Sequence, residues 1–143
     1  MDPVLLQAGL AIFIQVFIGL FFVVTGVAKL LEPKAKAAAI VRAYKLLPST
    51  IIFPLVKLLP WVEGLVGIGV LVGLALAEIG WWSLWAVIVM LAIYTLAALL
   101  TIIRGIKMAD CGCFGALNID ASPGATITKN VIMILAVLWL LLY

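Results

Sequence analysis

"VLLQAGLAIFIQVFIGLFFVVTGVA", residues 4–28, holds no charged side chain and lies between Asp2 and Lys29. At about 1.5 Å of rise per residue, a helix of this length covers the roughly 30 Å hydrocarbon core of a bilayer. The run predicts a membrane-spanning helix, and that reading sets the fold class of the whole chain. The segment starts with Asp2 rather than with basic residues, is too long for a signal-peptide apolar region and shows no small-residue cleavage site. It is expected to be a retained span.

The remaining sequence agrees. Of 143 residues, 68% are hydrophobic and only 10% charged, and the mean hydropathy is +1.41. Nine Lys and Arg with six Asp and Glu cannot clothe a water-soluble exterior of this size, so lipid must be the outer solvent. The net charge of +3 is carried by connecting residues, not by a basic stripe with interleaved aromatics, which argues against a nucleic-acid partner.

Residues 79–103 form a second charge-free run, stopped by Arg104. Between them, "IIFPLVKLLPWVEGLVGIGVLVGLALA" (51–77) carries Pro54, Lys57, Pro60 and Glu63 ahead of a Gly-rich apolar half. Interior prolines predict a kinked or broken first half, then a regular helix to about residue 77. Ser122 suits a helix N-cap and Pro123 the first turn of a last span, with Lys129 near one end. The expected fold is an all-α membrane protein with one membrane domain over 1–143: a four-transmembrane-helix bundle with spans near 4–29, 51–77, 79–103 and 123–143. "AEIG" (77–80) is expected as the turn between spans two and three, and 104–122 as the loop before the last. Gly69 and Gly73, with Gly64 and Gly67 nearby, point to close helix packing inside the bundle.

An interfacial amphipathic helix is expected between spans one and two. In "PKAKAAAIVRAYKLLP" (33–48), Ala37, Ile40, Tyr44 and Leu47 share one helical face and Lys34, Arg42 and Lys45 another. Such a helix either anchors the chain to anionic lipid or covers a site. All nine cations (Lys29, Lys34, Lys36, Arg42, Lys45, Lys57, Arg104, Lys107 and Lys129) fall on or near the side of this connection and of the 104–122 loop. The positive-inside rule makes that side cytoplasmic and puts both termini outside, in a bacterial inner or plasma membrane. Trp81, Trp82, Trp85, Trp139 and Tyr143 cluster at the other boundary, as an aromatic belt would.

The only two cysteines stand in "DCGCFG" (110–115), one of the few polar segments. Cys111 and Cys113, separated by Gly112, can close a small ring if the backbone bends, and glycine permits the bend. A ring this tight is expected to be strained, which favours reduction and hence oxidising power. It closes too short a loop to act as a staple. The pair therefore reads as redox-active. In a loop it is open to a partner's sulfur, and Arg104 and Lys107 upstream favour thiolate while Asp110 opposes them. Lys29 and Lys129 are expected on the same face. Lys34, Lys36 and Lys45 read instead as flank residues reaching for headgroups.

Glu63 is costly at its depth unless paired, protonated or facing a wet cavity, so it is expected to point into the bundle. It fits either an ion pair tying spans one, two and three together, near Lys29 and Arg104, or a proton-handling role. A tetrahedral zinc site lacks ligands, since the chain has no histidine and no third cysteine. Two thiolates could still take copper(I) or mercury(II), which keeps soft-metal binding or transport as the alternative class. A third reading is a structural subunit of a larger membrane complex.

"TGVAKLLEP", "YKLLP", "LPWVEGLVGIGVLVG", "RGIKMADCGCFG" and "TKNVIMILAV" together resemble the MauE family of methylamine-utilisation membrane proteins, within the wider DoxX-like group. The resemblance runs over almost the whole chain and is strongest at Cys-Gly-Cys-Phe-Gly. It implies a four-helix bundle associated with disulfide formation or thiol redox transfer beside a thioredoxin-like partner. Lys29, Glu63, Arg104, Cys111, Cys113, Phe114 and Gly115 fit the family pattern. Lys129 precedes Asn130 where the family often has arginine, which keeps the charge but not arginine's two-pronged hydrogen bonding. The family's association with exported proteins would face the thiols outward, against the charge count, and here the charge count sets the expectation. The expected function is a membrane thiol–disulfide oxidoreductase component, with membrane quinone as the candidate electron acceptor.

Overall fold

The computed structural model describes residues 2–106 and 122–143. Their elements, in chain order, are α1 (Pro3–Leu31), α2 (Lys34–Ala43), α3 (Ser49–Val72), α4 (Ala77–Ile103) and α5 (Pro123–Leu142). All but α2 are long and apolar enough to cross a membrane. The protein is thus an all-α, four-span bundle, with no strand among the described residues.

Glycine sets how close the helices come. A Cβ on Gly26 of α1 would lie 2.8 Å from the Gly64 nitrogen and 2.9 Å from the Pro60 carbonyl oxygen of α3. One on Gly67 would stand 2.7 Å from the Gly19 oxygen. At the other end of α3, a Cβ on Gly73 would be 2.3 Å from the Gly80 Cα, and one on Gly69 2.2 Å from the Ser83 hydroxyl oxygen of α4. Backbone therefore meets backbone along both seams of α3, as the Gly-x-x-x-Gly spacing predicts. The pairings run in opposite chain directions, so α1, α3 and α4 are antiparallel neighbours, and α5 packs mainly on α4. One apolar core unites the four spans around Ile18, Phe22, Val70, Val87, Leu91, Met133 and Val137. Residues such as Phe13, Leu65, Ile93 and Leu135 stay exposed, as lipid-facing side chains do.

The second span is one helix from Ser49, not broken at its interior Pro54 and Pro60, and it ends at Val72 rather than near 77. Pro54 falls in the second turn, and Thr50, whose carbonyl it leaves without a ladder donor, is an exposed residue. At buried Pro60 the proline's own carbonyl faces Gly26, so α1 packs tightly where α3 lacks a ladder donor. "AEIG" is not the turn but the first turn of α4. The turn is Gly73–Leu76, and Glu78 lies in the first turn of α4, where the helix dipole favours an acid.

α2 is ten residues long and docks on the first half of α3, with Ala38 packed on Ile52 and Val56. Ser122 caps α5 by accepting from the Ala125 N–H at 3.3 Å, as its sequence context predicts. Trp81 and Trp85 meet edge to face, and Trp139 stacks on Tyr143.

Candidate functional site

The Gly26 seam aligns α1 with α3 one turn before Lys29. There the Lys29 ammonium reaches Glu63, donating to Oε1 at 2.6 Å, and both side chains are buried, 10% and 2% exposed. The Tyr94 hydroxyl of α4 donates to the same Oε1. Its ring also lies under the Lys29 ammonium, whose nitrogen is 4.8 Å from the centroid. Glu63 Oε2 is enclosed and has no hydrogen-bond partner among the described residues.

A buried carboxylate is tolerated only with such compensation. Glu63 points into the bundle as expected and pairs with Lys29. The span-three member of the cluster is Tyr94, not Arg104. Arg104 sits outside it: its guanidinium donates to the Lys45 carbonyl at 3.1 Å, tying the end of α4 to the connection between α2 and α3.

Beside this cluster lies a cavity of about 310 Å3 between α2, α3 and α4. Ala37, Ile40, Tyr44 and Leu47, the face that the helical spacing predicts for the connection, all line it. Of the two roles open to that face, covering a site is the one with a geometric counterpart. Leu55, Leu59, Ile93 and Leu96 add apolar wall, while Lys29, Glu32 and Tyr94 supply polar groups. Glu32 is buried, and its Oε1 is 3.7 Å from the Lys36 ammonium. The Lys34 ammonium is enclosed and has no partner among the described residues, which departs from the expectation that it reaches for headgroups, while the Lys36 side chain stays 54% exposed. Lys34 opens a short helix folded back on α3.

Lys129 stands on α5 with its ammonium 5.0 Å from the centroid of Phe21 on α1, at a second groove that Phe17 and Met133 also line. The next residue, Asn130, is fully buried, and neither its amide nitrogen nor its oxygen has a partner among the described residues. Sequence reading did not single out Tyr94, and it met Asn130 only as the neighbour of Lys129 in the family pattern. An asparagine in the middle of an apolar span was the available signal for the second.

Cys111, Gly112, Cys113, Phe114 and Gly115 lie outside the described residues, as does Lys107. The segment is bracketed by the end of α4 and the start of α5, the end of the bundle to which Arg104 ties the α2–α3 connection. Among the described residues, no group of three or more His, Cys, Asp or Glu side chains could hold a metal ion.

No curated protein and no solved structure matches the chain. The family described as methylamine utilisation protein MauE matches residues 7–143, which takes in all four spans, the charged cluster and the Cys-Gly-Cys segment. The chain therefore belongs to the MauE family.

Proposed function

We propose that the protein is a membrane component of thiol–disulfide exchange, in which Cys111 and Cys113 trade a disulfide with a thioredoxin-like partner. One observation carries the reading. A buried, charge-paired cluster and a cavity lie toward the end of the bundle from which the Cys-Gly-Cys segment departs. Buried ionisable groups inside spans are expensive and generally functional.

In the exchange, a partner thiolate attacks one sulfur of the Cys111–Cys113 disulfide. The S–S bond breaks as a mixed disulfide forms, and the other cysteine leaves as thiolate. A second partner thiolate then displaces the mixed disulfide, so the partner is oxidised by two electrons and Cys111 and Cys113 are reduced. The charge distribution favours thiols on the cytoplasmic side.

The test is to trap the intermediate. Cys111→Ser and Cys113→Ser are made separately in the full chain, expressed in its membrane and examined by non-reducing electrophoresis. One variant is expected to accumulate a mixed disulfide with a partner, while both lose exchange activity. If neither traps a partner and activity persists, the reading fails. Labelling the native chain in intact cells with a membrane-impermeant thiol reagent, before and after reduction, reports side and redox state together.

A further inference from the structure

We infer that the groove between α1 and α5 is a binding site for one anionic phospholipid, its phosphate at Lys129 and an acyl chain lying against Phe17 and Ile132. The exchange proposed above uses neither this groove nor Lys129.

The groove exists because two spans hardly meet. α1 packs backbone to backbone on α3, and α5 packs mainly on α4, so contact between α1 and α5 is sparse. The opening between them is about 530 Å3, within the roughly 300–1,000 Å3 of small-molecule sites. Its α5 wall runs from Ala125 to Met133, about 12 Å along the helix axis, so the groove averages about 7 Å across. A helix with its side chains is about 10–12 Å across, too wide to enter, whereas an extended hydrocarbon tail is not.

The lining also chooses a lipid over a neighbouring span. Helices that dock in membranes meet through small residues, as α3 does with both its neighbours. Here the walls are bulky, with Phe17 and Phe21 on α1 and Ile132 and Met133 on α5. Phe17 and Ile132 are exposed, so the groove opens to the hydrocarbon.

Charge then chooses the head. Lys129 follows Pro123, the first residue of α5, by six residues, about 9 Å along the axis. From that depth a lysine reaches the interfacial layer. Its ammonium stands at Phe21, while Phe17 and Ile132 lie further toward the middle of the spans. The groove thus has a cationic end nearer the membrane surface and an apolar end below it. No carboxylate is among its described lining residues, whereas the cavity beneath α2 sets Glu32 beside Lys29. An ammonium carries three N–H donors, so a phosphate oxygen can join the contacts Lys129 already makes. A headgroup whose phosphate charge is not offset by its own cation gains most, which selects phosphatidylglycerol over phosphatidylcholine.

The test is native mass spectrometry of the full chain released from detergent micelles that hold equal amounts of these two lipids with matched acyl chains. Retention of one phosphatidylglycerol per chain, in preference to phosphatidylcholine, is expected. Lys129→Gln should lower that preference about fivefold, the usual worth of one basic residue facing anionic lipid, and Lys129→Arg should keep it. Lys57→Gln controls for net charge. Lys57 also stands over a ring, 5.3 Å from the Phe53 centroid, but lines neither this groove nor the cavity beneath α2, and its loss should leave the preference unchanged. Thr128→Trp, at an exposed position in the groove wall, should displace the lipid without removing a charge. It covers the case in which Lys129→Gln does not fold. Equal retention of the two lipids, an equal loss of preference in Lys57→Gln, or retention that Thr128→Trp leaves unchanged overturns the inference. So does a lipid-free dimer, which would give the groove to a second copy of the chain. Because no measurement involves Cys111 or Cys113, each result is independent of whether a mixed disulfide can be trapped.

Discussion

Replacing Lys29 by Met tests the charged cluster at its weakest point. Methionine fills a similar volume with an unbranched chain, so packing changes little while the ammonium disappears. Glu63, 2% exposed in its side chain, is left with the Tyr94 hydroxyl as its one partner among the described residues. Removing one member of a buried pair costs about 3–5 kcal/mol, most of it the penalty of the stranded charge. Glu63→Gln should cost less, because an amide oxygen can still accept from both Lys29 and Tyr94. The double variant Lys29→Met/Glu63→Gln strands no charge and should be more stable than Lys29→Met alone. The two costs should therefore fail to add, by about 1–3 kcal/mol. Equilibrium unfolding in mixed micelles, followed by tryptophan fluorescence, measures all four proteins. If both single changes cost less than about 1 kcal/mol and the double variant is their simple sum, the two side chains do not meet in the folded bundle and the site is misread.

Four further outcomes are expected. Gly73→Ala should destabilise the bundle by about 1–3 kcal/mol or more, because its Cβ would stand 2.3 Å from the Gly80 Cα. Gly9→Ala, with nothing within 4 Å of the new methyl, should be neutral or stabilise by up to about 1 kcal/mol in the same unfolding assay. Asn130→Leu should raise the unfolding midpoint, since it removes an amide whose two polar atoms are buried without partners among the described residues. A drop in stability would mean that the amide is hydrogen-bonded in the membrane. Ser122→Ala should cost about 0.5–1 kcal/mol and increase amide exchange in the first turn of α5, where the Ser122 hydroxyl accepts from Ala125.

The four spans were legible because absence of charge over some 20 residues leaves little else for a chain to be. Glu63 was legible for the complementary reason, a carboxylate standing inside such a run. Its tyrosine partner was not, since an aromatic residue in an apolar span is ordinary and only the rotation of α4 about its axis turns Tyr94 toward α3. Arg104 had the better chemistry on paper, but it lies beyond the last helical residue of α4 and finds a carbonyl on the connecting segment instead. The face of α2 could be read from its spacing, yet its counterpart could not, because the opposite wall comes partly from α4, distant in the chain. The boundary between spans two and three moved by several residues for a related reason. Gly73 reads as the last small residue of a helix interior until Gly80 is found against it.

The bare-backbone seams of α3 have a consequence for how this protein tolerates change. Gly26 and Gly64 touch one turn from Lys29 and beside Glu63, so the spacing of two uncharged atoms fixes the reach of two charged ones. A methyl added at Gly26 would push the helices apart and surface as an electrostatic lesion, although no ionisable group had been altered. The greasy seam is in that sense the ruler against which the polar machinery is cut.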